Sequence, residues 1–196
     1  MGEEIILEPR ELLDILTITE RLKDTTRHCY TSKGRRESVA EHTWMMTLMA
    51  LLLTDEFPDV DMNKVIKMCL IHDLGECFTG DIPTFEKQDS DEEREERLLY
   101  EWLETLPEGT SRSFKGLFDE MKVRETKEAK VYKAMDSLEA VVQHNLSDIS
   151  TWEDHEYELN LTYGTDKVAF SDYLVRLREE MKQDTLDKIA EKETRS

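Results

Sequence analysis

The sequence predicts an all-α fold, and three observations lead to this prediction. Apolar residues recur at helical spacing, no segment sustains the period-two alternation of a half-buried strand, and only 7 glycines and 4 prolines interrupt 196 residues. An apolar fraction of 38% beside a charged fraction of 36% is typical of a helical protein with a charged surface and one sizeable core. We therefore expect a helical bundle of about six to eight helices.

The first two helices follow from local signals. Pro9 is suited to the first turn of a helix that runs to about Leu22, and a polar, basic loop follows over 23–37. Ser38 and Glu41 have the spacing of a capping box, so the second helix should begin near Val39. It should run to about residue 57, where a proline follows. The stripe of Trp44, Met45, Met46 and Met49 on this helix is interpreted as core.

The later helices are predicted in the same way. Asp61 can cap a third helix over 62–74, and Gly75 is a plausible stop. A loop over 75–89 precedes a second capping box, Ser90 to Glu93, and a fourth helix. Beyond Pro107 we expect helices over about 112–123, 126–147 and 168–190.

The absence of an internal repeat or a flexible linker predicts a single domain over 1–196. We expect its core over about 9–149 and a C-terminal helical extension over about 150–190. A formal charge of −19 argues against sequence-independent binding to DNA or RNA. No apolar run is long enough to span a membrane. Three irregularly spaced cysteines and the lack of a signal-like segment favour a reducing, cytoplasmic location.

Three polar sites lie inside otherwise apolar helical patterns: His42, the pair His72-Asp73, and Asp136. Each has an ordinary alternative. His42 can be a hydrogen-bonded core histidine, His72 and Asp73 can form a structural hydrogen bond, and Asp136 can form a salt bridge to Lys or Arg. Together they offer two imidazoles and two carboxylates, a set that suits one divalent ion of Mn, Co, Fe, Ni or Zn with positions left for water and substrate. A structural zinc on Cys69, His72 and Cys77 is a weaker rival because the spacing is irregular.

Three more residues are candidates for chemistry. Glu76 would face the same side of the helix as His72 if the third helix continued. A carboxylate there can shuttle a proton. The alternative is an ordinary surface glutamate at the end of the helix. Arg27 in the basic loop can bind a phosphate dianion, although nearby Arg and Lys residues compete for that role. Asp81 follows Gly80 beside the expected site, and its alternative is turn chemistry.

These residues reproduce the H…HD…D signature of the HD-domain metal-dependent phosphohydrolases. Longer stretches are similar to the branch of that family formed by HD-domain-containing protein 2 and the bacterial 5′-deoxynucleotidases. The stretches that carry the resemblance are Arg27, 37–42, 72–84 and 133–139. The resemblance spans at least 20–146.

The resemblance implies a single HD-domain bundle, a homodimer, one divalent metal per subunit and hydrolysis of deoxyribonucleoside 5′-monophosphates. The residues that match the metal ligands of the family are His42, His72, Asp73 and Asp136. Glu76 matches the catalytic carboxylate and Asp73 is expected to orient the attacking water. Arg27 matches the phosphate-contacting arginine. Asp81 matches the carboxylate near the sugar 3′-hydroxyl.

Two departures concern the substrate pocket. His28 follows the arginine where the bacterial enzymes have tryptophan, and Phe85 stands where a proline often follows. Alternatives to the deoxynucleotidase are another HD nucleotide phosphohydrolase acting on cyclic nucleotides, pyrophosphates or alarmones, and a non-catalytic nucleotide-binding module. A helical adaptor is a third, but it leaves four polar groups in apolar helices unexplained.

Overall fold

The computed structural model describes residues 7–195 and shows a bundle of helices with one small sheet. The helices are α1 (Pro9–Thr19), α2 (Val39–Leu52), α3 (Met62–Ile71), α4 (Glu76–Thr79), α5 (Asp89–Leu103), α6 (Glu108–Val123), α7 (Lys127–Leu146), α8 (Glu156–Thr162), α9 (Thr165–Val168) and α10 (Asp172–Arg195). The strands are β1 (Thr26–Tyr30) and β2 (Arg36–Ser38). Within the described residues eight helices have seven residues or more, which confirms the predicted all-α class.

Helix α7 is the centre of the bundle, since it packs against α2, α3, α6, α9, α10 and β1. Its apolar side chains Val131, Met135 and Leu138 are completely buried. Burial on several sides explains why the helix carries a wide apolar surface and why polar groups on it need partners. The same helix carries Asp136, so this packing places one candidate ligand at the heart of the bundle.

The predicted capping box of α2 is present. The Ser38 side chain accepts a hydrogen bond from the backbone N–H of Glu41, and the Glu41 carboxylate accepts one from the backbone N–H of Ser38. This reciprocal pair satisfies two free donors at the helix start. It fixes the point at which α2 begins, and therefore places His42 in the first turn.

The polar loop predicted over 23–37 is in part wrong. Residues of this stretch form the antiparallel hairpin β1–β2, whose register is interrupted between Thr26 and Tyr30. The basic residues conceal the hairpin because their charges suggest a solvated loop. Arg36 instead lies over the ring of Tyr30, with its guanidinium carbon 4.4 Å from the ring centroid.

Other predicted boundaries also differ. Helix α3 ends at Ile71 rather than 74, and Gly75 has helical dihedral angles and begins a new turn rather than stopping the old one. The capping box of α5 joins Gln88 and Asp91 rather than Ser90 and Glu93. Helix α6 begins at Glu108, and α10 begins at Asp172. Near the start of α5 several polar residues offer equivalent local caps, so the sequence alone does not choose between them.

The predicted core stripe of α2 is only partly buried, and several apolar residues of α1 are exposed. Met46 is completely buried, but Trp44 on the same helix is 60% exposed. On α1 the side chains of Leu12, Leu13 and Leu16 are 43–51% exposed. The packing of α1 is made instead by Ile15 and Ile18. Among the helices of residues 7–195, none combines the length and apolar character needed to cross a bilayer.

We expect Gly164→Ala to destabilise the protein by about 1–3 kcal/mol. Gly164 has φ +76°, which strains any residue with a Cβ, and a Cβ there would lie 3.1 Å from the Cβ of Ser137. Gly116→Ala is the matched control, because Gly116 lies inside α6 with nothing within 4 Å of the added methyl group. That control should stabilise by about 0.5–1 kcal/mol. Urea unfolding of both variants measures the two changes, and equal effects would contradict the prediction.

Candidate metal centre

The candidate ligands come from α2, the turn after α3, and α7. His42 lies in the first turn of α2 and is 1% exposed. His72 and Asp73 lie directly after α3, where the chain makes tight i→i+3 turns towards α4. Adjacent residues of a helix point about 100° apart, so two neighbouring side chains can approach one point only if it lies between their directions, as it does at this helix end. Asp136 projects from the middle of α7.

The four side chains converge. Nε2 of His42 lies 3.3 Å from Oδ1 of Asp136 and 3.8 Å from Oδ2 of Asp73. Nε2 of His72 lies 2.9 Å from Oδ2 of Asp73 and 3.7 Å from Oδ1 of Asp136. Ligands bound to one ion at about 2.0–2.2 Å lie about 3–3.5 Å from one another, so these separations suit a shared divalent ion. The assignment of the four residues as ligands stays a prediction.

The hydrogen bonds on the far side of each imidazole orient its inner nitrogen. Nδ1 of His42 donates to the Glu139 carboxylate, and Nδ1 of His72 donates to the backbone oxygen of Cys69 at 2.8 Å. Both Nε2 atoms therefore face the convergence point. Nε2 of His72 is fully buried and makes no hydrogen bond among residues 7–195, although Oδ2 of Asp73 is close. A bound ion would satisfy a buried nitrogen lone pair of this kind.

Asp136 both faces the two imidazoles and forms a salt bridge with a lysine. Its Oδ1 faces the two imidazoles, while its Oδ2 accepts a hydrogen bond from Nζ of Lys133 at 2.5 Å. Burial raises the pKa of Asp136, but Lys133 and His42 outweigh it, so this pKa lies well below its usual range. The carboxylate is therefore ionised and available as a ligand at neutral pH.

Two buried glutamates near the site were not anticipated from the sequence. Nη1 of Arg27 donates to Oε2 of Glu37 at 2.9 Å and to Oε2 of Glu139 at 3.1 Å. Oε2 of Glu139 also accepts from His42, so one oxygen joins the arginine to the candidate ligand. Glu139 could have been found, because it lies three residues after Asp136 and therefore on the same buried face of α7.

The electrostatics of this buried network follow from its charges. Burial and Arg27 lower the pKa of His42, but Glu139 and Asp136 raise it to about 10 overall. A divalent ion would have to displace the proton that this histidine carries. Burial and then Glu139 raise the pKa of Glu37 to about 7 against the opposing effect of Arg27. The arginine thus lies between two carboxylates of different proton affinity.

Glu76 lies at the start of α4 rather than on a continuation of α3, so the dipole of α3 does not oppose its charge. The side chain is buried, and its Oε2 has no hydrogen-bond partner within 7–195. Burial, followed by repulsion from Asp73 and Asp81, raises the pKa of Glu76 to about 10. Such a carboxyl group carries a proton at neutral pH and can donate it.

Asp81 is half-buried in the loop after α4, and Gly80 before it has φ +77°. Burial raises its pKa, while Arg27 lowers it and Asp73 raises it further. These interactions place Asp81 in the same electrostatic surroundings as the candidate ligands. Its contact with a sugar hydroxyl stays a prediction.

The rival zinc set is not brought together. Among residues 7–195 the groups able to hold an ion include His42, His72 and Asp136, but none joins Cys69, His72 and Cys77. All three cysteines of the chain are free and buried. Cys69 contributes only its backbone oxygen, which orients His72.

A cleft of about 300 Å³ opens beside the candidate ligands and is lined by His72, Asp73, Asp136, Lys87 and Lys133, among others. Its volume is at the lower end of the range for small-molecule sites. Lys87 is paired with Glu95 at 2.8 Å, so its charge is already compensated. The cleft gives a small ligand access to the convergence point.

Comparison with known proteins adds three findings. A family model described as HD domain matches residues 19–177. The curated protein 5′-deoxynucleotidase HDDC2 of Homo sapiens is 29% identical over 153 residues, which cover 76% of this chain and 72% of the relative. The crystal structure of a predicted metal-dependent phosphohydrolase from Magnetospirillum magnetotacticum superposes with a TM-score of 0.78 at 26% identity, covering 91% of this chain and 93% of that chain.

Proposed function

Because this chain belongs to the HD-domain family, we propose that it is a metal-dependent phosphomonoesterase that converts deoxyribonucleoside 5′-monophosphates to a deoxynucleoside and phosphate. The convergence of two oriented imidazole nitrogens and two carboxylates beside an open cleft carries the proposal. The 5′-deoxynucleotidase relatives support the substrate class.

In this proposal His42, His72, Asp73 and Asp136 would hold one divalent ion of Mn, Co, Fe, Ni or Zn. When bound, the ion would supply Lewis-acid chemistry for the hydrolysis of a phosphate ester. Asp73 is half-buried at the edge of the cleft, where its second oxygen can orient the attacking water. The histidines act through their fixed orientation, which keeps the inner nitrogens facing the ion.

Glu76 is the proposed proton donor. Its buried carboxyl group has an unsatisfied oxygen and a raised pKa, so it can protonate the 5′-oxygen as the ester bond breaks. Protonating this oxygen removes the need to expel an alkoxide. A carboxyl group at this position therefore contributes to the chemical step rather than to metal binding.

Arg27 is the proposed phosphate-binding residue. Nη1 is held by Glu37 and Glu139, and within residues 7–195 the guanidinium makes no hydrogen bond through Nη2 or Nε. The held end fixes the side chain while the other donors remain for a phosphate oxygen. Asp81 is proposed to accept a hydrogen bond from the sugar 3′-hydroxyl.

The single-domain organisation, the homodimer and the cytoplasmic location are part of the same proposal. In the structure the C-terminal helices pack on α7, and Leu174 and Met181 of α10 belong to the same buried cluster as Met135. This shared core supports one folding unit for the described residues. Light scattering in solution measures the assembly state.

A nucleotide panel tests the proposed function. The protein is stripped with a chelator and reloaded separately with Mn, Co, Ni, Zn or Mg, and phosphate release is measured from deoxy- and ribonucleoside 5′-monophosphates. We expect turnover to depend on the added metal and to favour the deoxy substrates.

Two other outcomes would replace the proposal. Turnover of cyclic nucleotides, pyrophosphates or alarmones without turnover of monophosphates would assign another phosphohydrolase activity. Nucleotide binding without turnover under any metal would assign a binding module.

A further inference from the structure

A second cluster of metal-binding side chain types lies outside the hydrolytic centre. Each of His28, Cys29 and His144 has one ligand atom within 4.8 Å of those of the other two. Sγ of Cys29 lies 3.6 Å from Nε2 of His28 and 3.9 Å from Nε2 of His144. Oε1 of Glu156 lies 3.2 Å from the first imidazole nitrogen and 2.9 Å from the second. Three metal-binding side chains therefore meet, and a carboxylate lies beside two of them.

The irregular register of β1 helps explain this convergence. In a regular strand His28 and Cys29 would point to opposite faces of the sheet. The hairpin register shifts between Thr26 and Tyr30, and an irregularity of this kind redirects side chains. Both residues consequently approach His144 of α7 rather than diverging.

The cluster is buried and oriented. Cys29 is 2% exposed, and His144 and Glu156 are also buried. Nδ1 of His144 donates to the backbone oxygen of Ala140 at 2.8 Å, although it also lies 3.6 Å from Sγ of Cys29. Nε2 is therefore the nitrogen left for an ion, and it lies 2.9 Å from Oε1 of Glu156. This is the arrangement in which protein histidines commonly bind metals.

The separations agree with a tetrahedral ion. With metal–sulfur bonds of about 2.3 Å and metal–nitrogen bonds of about 2.0–2.1 Å, adjacent sulfur and nitrogen ligands lie about 3.5 Å apart. The distances from Cys29 to the two imidazoles, 3.6 and 3.9 Å, are close to this value.

We infer that His28, Cys29 and His144 bind a second divalent ion of the zinc type, with the carboxylate of Glu156 as a fourth donor. A thiolate combined with imidazoles selects zinc-like ions over magnesium. The ion would join β1, α7 and α8, and so tie the C-terminal helices to the hairpin that carries Arg27. This inference does not depend on the proposed hydrolytic activity.

Cobalt loading tests the inference on the full chain. After chelation the protein is titrated with Co²⁺, and the bound ions are counted while absorption is recorded in the near ultraviolet. We expect two ions per chain and a thiolate-to-cobalt charge-transfer band, which the hydrolytic centre cannot produce because it contains no thiolate. Cys29→Ser should bind one ion and lose the band. His42→Ala should keep the band while losing the other ion.

Cys77→Ser is the matched control, because Cys77 is also a buried free thiol but lies outside the cluster; it should keep both ions and the band. His28→Gln provides a second variant at a partly exposed position, in case Cys29→Ser does not fold, and should weaken the thiolate-linked ion at least about tenfold. The inference is overturned if the native chain binds only one ion and shows no thiolate band at saturating cobalt. It is also overturned if a folded Cys29→Ser keeps two ions.

Discussion

Replacing Glu76 by Gln is expected to lower kcat by about 10²–10⁴-fold while the divalent ion stays bound. Glutamine keeps the size of the buried side chain but cannot donate the proton proposed for the leaving oxygen. Steady-state turnover and metal content are measured on the same sample. Glu93→Gln on the exposed face of α5 makes the same chemical change away from the site and should keep its activity within about twofold.

Two results would reject this role for Glu76. Full activity in Glu76→Gln would show that the proton comes from elsewhere. Loss of the ion together with activity would show that the carboxyl group supports metal binding instead. The proton role is supported by the buried Oε2 of Glu76, which has no hydrogen-bond partner within 7–195, and by the raised pKa of its carboxyl group.

Replacing Glu139 by Ala is expected to lower the free energy of unfolding by about 3–5 kcal/mol. The same change should lower the affinity for the divalent ion by about 10–100-fold. The buried carboxylate accepts from both Arg27 and His42, so its removal leaves two buried cationic groups with less compensation. Urea unfolding measures the stability, and competition with a chelating dye measures the metal affinity.

The matched control for this prediction is Glu101→Ala. Glu101 pairs with Arg97 on α5, but both side chains are about 60% exposed, so the expected change is below about 1 kcal/mol. A Glu139→Ala protein within about 1 kcal/mol of the native chain would show that Glu37 alone compensates Arg27. Unchanged metal affinity would show that His42 needs no carboxylate partner.

Local signals predicted those parts of the fold that local interactions decide. The start of α2 was predicted correctly because Ser38 and Glu41 bond to each other three residues apart. The hairpin was missed because its pairing joins residues such as Thr26 and Ser38, which no local period reveals. Gly75 was misread as a stop because its sequence context does not reveal that its φ is −59°.

In the candidate site, too, residues with a local signal were predicted and residues that depend on long-range contacts were missed. His42, His72 and Asp136 were identified because each interrupts an apolar helical pattern, and the structure brings them together. Glu37 and Glu139 were missed because their importance depends on which face meets Arg27, a contact spanning 112 residues for Glu139. The cluster of His28, Cys29 and His144 was missed for a similar reason, since His144 lies 115 positions beyond Cys29.

The single oxygen of Glu139 that meets both Arg27 and His42 has a consequence for ligand affinity. A phosphate bound at the remaining donors of Arg27 offsets part of the guanidinium charge, so the Glu139 oxygen is drawn less strongly to Arg27. The imidazole of His42 then becomes a stronger electron donor. If bound phosphate raises the affinity of the protein for the ion, thermodynamic reciprocity requires that the bound ion raises the affinity for phosphate by the same factor. The two ligands should therefore bind cooperatively, and the empty protein should release its ion more readily than the product complex does.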